Sequence, residues 1–209
     1  ALKKILKYIY NIKIFDPACG SGNFLIITYK QLCTLEINIF RYLLKLSPED
    51  WKMSVSGISL NQFYGIEKSH YAAETAKLSL WLAEHQMNLD FKEVFGISKP
   101  SLPISELGNV VCENSIKYNW EKFCELENKT EEIFVIGNPP FKGYRARTEE
   151  QKKDVEHYFY GKNSKVDYVG LWFFKGADYI SKLKKVKLAF VSTNSVNQGE
   201  QVNLIWPKI

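Results

Sequence analysis

The sequence predicts an α/β fold whose strands form a mostly parallel sheet. Short apolar runs alternate with longer helical patterns along the 209 residues, which is typical of domains whose helices connect parallel strands. Each apolar run is also followed closely by a polar or glycine-containing segment. Because parallel strands end at one edge of a sheet, we expect these segments to meet there, where ligands bind. The residues concerned are Asp16, Glu67, Asn114, Asn138 and Asn194.

The expected elements follow from periodicity and from helix start and stop signals. Ser47-Pro48 stops the first long helix and Ser69 caps the next one, in which small apolar residues form one packed stripe. That stripe is Ala72, Ala73, Ala76, Leu80 and Ala83. The expected strands are Ile12–Phe15, Phe63–Ile66, Asn109–Cys112, Ile133–Ile136 and Leu188–Val191. The expected helices are Asn23–Leu46, His70–Met87, Trp120–Leu126 and Asp167–Ser181, and a loop is expected over Ser98–Ser105.

Composition indicates one globular domain over residues 1–209, with 45% hydrophobic and 24% charged residues. The net charge of +5 is compatible with a polyanionic partner but is weak support for one. No apolar run is long enough to span a membrane, and the lysine-dotted start does not resemble a signal peptide. The four cysteines lack CxxC spacing, so we expect reduced thiols, no metal site and a cytoplasmic location. Both ends look cut from a longer polypeptide.

A glycine turn (residues 16–24) joins the first strand to the first long helix. Gly20 and Gly22 allow a close backbone approach and a positive φ. An ordinary strand-to-helix turn would look similar. A dinucleotide fold would need a third glycine where Leu25 stands, and no GK[ST] sequence follows for a P-loop. The pattern therefore favours a ligand that approaches the backbone closely without needing a phosphate cradle.

S-adenosylmethionine has these properties, because its methionine tail is zwitterionic and its adenosine carries no phosphate. Asp16 can pair with the ammonium group of that tail, directly or through water. Glu67, at the end of the second strand, can accept hydrogen bonds from two ribose hydroxyls. Asn114 can contact the adenine edge of the cofactor, or it can simply form a turn or cap the turn at Ser115.

The Asn-Pro-Pro-Phe turn (residues 138–141) is the most specific pattern in the chain. An exocyclic amino group is a poor nucleophile, because its lone pair is delocalised into the ring of the base. The Asn138 amide oxygen and the Pro139 carbonyl can accept hydrogen bonds from its two N–H groups and free the lone pair for attack on a methyl group. The two prolines, Pro139 and Pro140, fix the backbone. Phe141 can stack on a base that has left the duplex.

Together, the glycine turn and the Asn-Pro-Pro-Phe turn resemble the amino-group adenine DNA methyltransferases, in the motif order where cofactor binding precedes catalysis. The resemblance covers nearly the whole chain. With the segment Gln198-Gly199-Glu200-Gln201-Val202, it is most similar to the methyltransferase part of single-chain type II restriction-modification enzymes. It implies a Rossmann-like S-adenosylmethionine-dependent methyltransferase fold in truncated form, without the nuclease and target-recognition regions. Asn114 stands where the family often has Asp.

The resemblance implies a site-specific enzyme that transfers a methyl group from S-adenosylmethionine to N6 of a flipped-out adenine in double-stranded DNA, as part of a restriction-modification system. No membrane partner is expected. The expected catalytic residues are Asn138, Pro139, Pro140 and Phe141. The expected cofactor-binding residues are Asp16, Pro17, Ala18, Gly20, Gly22, Asn23, Phe24, Glu67, Lys68 and Asn114.

Three other functions remain open at the level of sequence. Methylation of a protein glutamine or of cytosine N4 poses the same problem of an unreactive nitrogen, although the glycine turn resembles the DNA enzymes more closely. No cysteine lies in the Asn-Pro-Pro-Phe turn, which argues against carbon-5 methylation of cytosine. A nucleic-acid-binding fragment without catalytic activity is the third alternative. Basic residues in the segment 142–165 could contact phosphates or could form a solvated face.

Overall fold

The structure is a computed structural model and describes residues 1–51, 55–97, 109–159 and 165–209. The strands are β1 (Ile12–Asp16), β2 (Phe63–Glu67), β3 (Asn109–Cys112), β4 (Glu132–Gly137) and β5 (Val186–Phe190). The helices are α1 (Leu2–Ile9), α2 (Asn23–Leu46), α3 (Pro48–Trp51), α4 (His70–Phe95), α5 (Trp120–Phe123), α6 (Glu149–Tyr158), α7 (Gly170–Lys182) and α8 (Glu200–Ile205). Short 3-10 helices cover Leu60–Gln62, Tyr144–Ala146, Asn194–Asn197 and Trp206–Lys208.

The five strands form one sheet in the order β3-β2-β1-β4-β5, and every neighbouring pair is parallel. β1 lies in the centre, where Ile14 pairs with Phe63 of β2 and Ile12 pairs with Glu132 of β4. The strand order reverses between β1 and β4, which makes their carboxyl ends the switch point at which α/β sheets bind ligands. The predicted Rossmann-like α/β fold is confirmed.

Helices cover both faces of the sheet because successive side chains of β1 point to opposite faces. Ile14 packs in the core formed with α2 and α4, whereas Phe15 packs in the core formed with α5, α6 and α7. The Phe15 ring meets the edge of Trp120 of α5 at a centroid distance of 5.2 Å. The predicted stripe on α4 is buried, except that Ala72 is only partly so.

Several boundaries differ from the sequence-based expectation. α4 continues past Met87 to Phe95, because apolar Phe91 also packs in the core and Gly96 ends the helix at a φ of 77°. β5 covers Val186–Phe190 instead of Leu188–Val191. α5 ends at Phe123 instead of Leu126. The loop expected over Ser98–Ser105 lies outside the described residues.

α6 lies in a stretch whose sequence is polar and basic and has no apolar period. Thr148 and Gln151 form a reciprocal capping box at its start, which supplies partners for two backbone amides. The helix buries only Asp154 and Val155, so no apolar stripe marked it in the sequence. In the described parts of the chain, we find no helix with the length and apolar character needed to cross a membrane.

Candidate functional site

Asp16 and Gly137 lie side by side at the switch point, where β1 and β4 end. The Asp16 side chain is 1% exposed, and its Oδ1 atom accepts a hydrogen bond of 3.0 Å from the Ala18 amide. A Cβ atom on residue 137 would lie 2.5 Å from that Oδ1 atom. Glycine at position 137 therefore makes room for the carboxyl group between the two strand ends.

The pKa of Asp16 is raised to about 7, chiefly by burial; the Ala18 hydrogen bond lowers this pKa and the nearby Glu67 carboxylate raises it, and both effects are smaller. A positive charge placed beside Asp16 would favour the ionised carboxylate. The ammonium group of an amino acid is such a charge.

The glycine turn is fixed onto the end of β2 by the Glu67 carboxylate. Glu67 Oε2 accepts a hydrogen bond of 3.0 Å from the Gly20 amide, and Oε1 accepts one of 2.7 Å from the Ser69 amide. Gly20 and Gly22 have φ angles of 55° and 88°, a region that favours glycine. A Cβ on residue 22 would lie 3.2 Å from the Cβ of Ala76, so glycine there also lets the turn pack against α4.

A cavity of about 390 Å³ opens beside this turn and reaches the Asn-Pro-Pro-Phe turn. Seven of the predicted site residues contribute to its wall. They are Pro17, Ala18, Glu67, Lys68, Asn114, Asn138 and Pro140. The others do not line it: Asp16 and Pro139 are buried, Gly20 and Gly22 support the turn, and Asn23, Phe24 and Phe141 are exposed. The structure thus brings half of each predicted set to one cavity.

The Asn114 side chain already has protein partners. Its Oδ1 atom accepts a 3.0 Å hydrogen bond from the Ile116 amide, which is the geometry of a turn-forming Asn. Its Nδ2 group donates to Asp154 Oδ1 at 3.0 Å. Asn114 nevertheless lies in the cavity wall, so its contact with the cofactor adenine stays a prediction.

Residues of α6, of α7 and of the segment just before α7 complete the cavity. They lie outside the predicted catalytic and cofactor-binding sets, although the sequence left open that part of the aromatic series with Tyr168 and Trp172 lines the cofactor pocket. Tyr168 and Trp172 form part of the wall, with ring centroids 5.2 Å apart, and Trp172 Nε1 donates to the Pro17 carbonyl at 3.4 Å. Glu150 at the start of α6 pairs with Lys68 across the cavity. The capping signature Thr148-x-x-Gln151 could have located α6, although not its position over the cavity.

Asp154 is fully buried and joins these elements. It accepts hydrogen bonds from Asn114 and, at 2.7 Å, from the Tyr168 hydroxyl. The pKa of Tyr168 is raised above its ordinary value by burial and by this hydrogen bond. Lys117 Nζ lies 3.4 Å from Asp154 Oδ1 and supplies a compensating charge.

The residues present fit S-adenosylmethionine. The cavity volume lies within the range of about 300–1,000 Å³ that is usual for small-molecule sites. Each Glu67 oxygen accepts one backbone hydrogen bond, and a carboxylate has about four acceptor positions, so two remain for ribose hydroxyls. The two neighbouring carboxylates, Asp16 and Glu67, suit a ligand whose sulfonium and ammonium groups are positive.

The chain matches the protein family described as "MmeI, DNA-methyltransferase domain" over residues 1–209. It is 47% identical over 211 residues to DNA methyltransferase A of Bacillus subtilis (strain 168), covering 100% of this chain and 24% of that protein. It is 41% identical over 115 residues to a putative type II restriction enzyme and methyltransferase of Methanocaldococcus jannaschii, covering 55% of this chain and 9% of that protein.

Among solved structures, the chain is similar to the Type IIL restriction-modification enzyme MmeI, whose structure was determined in complex with DNA. The TM-score is 0.86 at 37% sequence identity, over 99% of this chain and 28% of that one. The chain therefore spans about a quarter of the length of the Bacillus relative and of the solved MmeI chain.

Proposed function

Because the chain belongs to the MmeI family of DNA-methyltransferase domains, we propose that it methylates the N6 amino group of adenine in double-stranded DNA. The proposed methyl donor is S-adenosylmethionine, and the proposed context is a single-chain restriction-modification enzyme. One observation carries this proposal: Glu67 and Asn138 line the same cavity. One cavity wall thus contains Glu67, whose carboxylate can accept from ribose hydroxyls, and Asn138, whose amide oxygen can accept from an amino group.

The cofactor side of this cavity is formed by the glycine turn and the end of β2. Bound S-adenosylmethionine supplies a methyl group on a positively charged sulfur. Glu67 binds the ribose hydroxyls through its remaining acceptor positions while its hydrogen bond to the Gly20 amide holds the turn. Asp16 provides the negative charge beside the amino-acid end of the cavity.

The base side is formed by the Asn-Pro-Pro-Phe turn. The Asn138 amide oxygen and the Pro139 carbonyl accept hydrogen bonds from the two N–H groups of adenine N6, so that the nitrogen lone pair is no longer delocalised into the ring and is free to attack. The same two dipoles stabilise the positive charge that develops on the nitrogen during transfer. Pro139 and Pro140 restrict the backbone, and little reorganisation is then needed when the charge appears.

Phe141 supports the proposal that the target adenine leaves the duplex. Phe141 is 54% exposed, so its ring is accessible for a base to stack on. Lys142 and Arg145 follow it on the exposed surface. Positive charges beside an extruded base would contact the phosphates that flank it.

The test is mass spectrometry of nucleosides from DNA incubated with the full-length protein and methyl-labelled S-adenosylmethionine. We expect label in N6-methyladenine. Asn138→Ala should lower transfer about 100-fold or more, which is the cost of losing one such dipole, and should leave the cofactor dissociation constant nearly unchanged in calorimetry. Label in N4-methylcytosine, or in protein glutamine, would overturn the adenine assignment. Loss of cofactor binding by a folded Asn138→Ala variant would contradict the role given to Asn138.

A further inference from the structure

The chain that follows the Asn-Pro-Pro-Phe turn is hydrogen-bonded to two residues, Asp167 and Tyr168, that lie shortly before α7. The Tyr168 amide donates to the Lys142 carbonyl at 2.8 Å. The Asp167 carboxylate accepts a 3.1 Å hydrogen bond from the Tyr144 amide through Oδ1. Asp167 is 9% exposed and Tyr168 is 5% exposed. We call this pair the 167–168 junction.

A glutamine from α8 holds the 167–168 junction from its other side. Gln201 Oε1 accepts a 2.7 Å hydrogen bond from the Asp167 amide, and Gln201 Nε2 donates to the Lys165 carbonyl at 3.0 Å. The Gln201 side chain is buried. The Gln201 amide both donates and accepts, so it supplies a partner for the buried Asp167 amide and for the Lys165 carbonyl.

The junction also reaches the cofactor side of the cavity. Tyr168 donates its hydroxyl hydrogen to Asp154 Oδ2 at 2.7 Å, and Asp154 Oδ1 accepts from Asn114. Two adjacent residues therefore connect the two sides of the cavity. Asp167 holds the chain beside the Asn-Pro-Pro-Phe turn, and Tyr168 holds the network that includes Asn114.

We propose that Asp167 and Gln201 are positioning residues for the base side of the cavity. By fixing the Tyr144 amide, they set the place of Phe141 and Asn138 relative to the cofactor, although neither side chain touches the reacting atoms. This inference rests on the proposed function, because the positioned turn is the one that would receive the base. A misplacement of about 1 Å can cost about 100-fold in rate, which is the scale of the expected effect.

The test compares Asp167→Ala, Asp167→Asn and Gln201→Leu in the full-length protein. Asp167→Asn keeps an oxygen that can accept from Tyr144, so it should retain most of the activity. Asp167→Ala and Gln201→Leu should lower kcat about 10- to 100-fold, with the S-adenosylmethionine dissociation constant changed less than two-fold. Glu200→Gln, at the neighbouring exposed position of α8, is the matched control and should behave like the wild type.

Two further measurements separate positioning from general damage to the fold. A fluorescent adenine analogue at the target should brighten on binding to the wild type and to Asp167→Asn, and less with Asp167→Ala. Hydrogen exchange should show a protected Tyr144 amide in the wild type and Asp167→Asn, and faster exchange in Asp167→Ala. Hydrogen exchange of the Tyr144 amide is measured without DNA. It therefore still tests the role of Asp167 if the wild-type protein does not methylate adenine and the proposed function fails.

Unchanged kcat and unchanged Tyr144 exchange in Asp167→Ala would overturn the inference. An equal loss of cofactor affinity and kcat in both Asp167→Ala and Gln201→Leu would also overturn it, because that result indicates a general structural role. If Asp167→Ala does not fold, the comparison of Gln201→Leu with Asp167→Asn decides between the same outcomes.

Discussion

At the scale of single residues, the two carboxylates at the ends of β1 and β2 have different surroundings. Asp16 is sealed between strand ends, and burial raises its pKa to about 7. Glu67 is partly exposed in the cavity wall and holds two backbone amides. These surroundings suit different tasks, since one group changes its charge near neutral pH while the other organises the glycine turn.

Replacing Glu67 by alanine should weaken S-adenosylmethionine binding. Loss of the charge-assisted hydrogen bonds to ribose removes about 1.5–3 kcal/mol, or roughly 10- to 150-fold in the dissociation constant. Isothermal titration of the variant measures this change. Glu74→Ala is the matched control, because Glu74 is an exposed glutamate on α4 that pairs with Lys77. Equal affinities of wild type and Glu67→Ala would remove Glu67 from the cofactor site.

The ionisation of Asp16 predicts a pH dependence of cofactor binding. Between about pH 6 and 8 the carboxyl group loses its proton, because its pKa is about 7, and only the ionised form attracts an ammonium group. Affinity should therefore rise over this interval in the wild type and stay nearly flat in Asp16→Asn. Titration calorimetry at several pH values measures both slopes. Parallel slopes for the two proteins would show that Asp16 does not pair with the cofactor.

In the protein without cofactor, the raised pKa of Asp16 makes stability fall as the pH rises, whereas cofactor affinity rises with pH. In the folded state the pKa of Asp16 is raised from 3.8 to about 7, so the protonated form is favoured by folding. This contribution to stability is fully present below about pH 4 and is lost as the pH rises through about 7. Cofactor binding and unliganded stability therefore depend on Asp16 in opposite directions.

The sequence predicted which polar residues meet at the strand ends, because parallel topology alone gathers them there. Glu67 and Asn138 do line one cavity. Asp154 could not be found in the same way, since its function depends on where α6 crosses the sheet. A buried aspartate on a polar helix has no distinguishing sequence pattern. The hydrogen-bond partners of Asn114 could not be predicted from the sequence either, although its ability to form a turn could.

At the scale of elements, apolar patterns predicted the strands and the long helices α2 and α4. The start of α7 was harder to predict. The sequence indicated Asp167, but the helix begins at Gly170 because Asp167 and Tyr168 bond to the neighbouring loop instead. Short helices such as α6 and α8 bury two residues each, and that is too few to produce a visible period.

The packing of β1 against β4 predicts a cost for Gly137→Ala. The added Cβ would lie 2.5 Å from Asp16 Oδ1, so the strand ends must move apart, at about 1–3 kcal/mol for such overpacking. Urea denaturation measures the loss in the free energy of unfolding. Gly143→Ala is the matched control, because its Cβ would meet nothing closer than 3.8 Å.

A double-mutant cycle tests the cause of this effect. In an Asp16→Ala background the obstructing carboxyl group is gone, so Gly137→Ala should cost clearly less than it does in the wild type. If both backgrounds lose the same stability, the clash with Asp16 is not the reason for glycine at this position.

At the scale of the whole molecule, one cavity joins elements from both faces of the sheet. The glycine turn leads into α2 on one face, whereas Tyr168 and Trp172 belong to the core on the other. A ligand in this cavity therefore contacts parts of the protein that are packed separately. Its binding should stabilise the domain as a unit, because a disordered chain cannot reproduce the site.

The 209-residue domain should therefore become more stable when S-adenosylmethionine is added. At a free cofactor concentration of 100 times the dissociation constant, the free energy of unfolding rises by about 2.7 kcal/mol. Thermal unfolding at increasing cofactor concentration measures the effect, with Glu67→Ala showing a smaller shift at each concentration. An unfolding temperature that does not respond to the cofactor would mean that the domain by itself does not bind it.

The central place of β1 has a consequence for the order in which the site forms in time. Ile12 of β1 pairs with Glu132, which is 120 residues further along the chain. At a synthesis rate of about 5–20 residues per second, roughly 6–24 s separate the two strands at the ribosome. Before β4 is synthesised, Asp16 lacks its neighbour Gly137. The nascent chain then contains the glycine turn, but the switch point between β1 and β4 does not yet exist. The switch point at which the cofactor is proposed to bind therefore forms only after β4 has been synthesised.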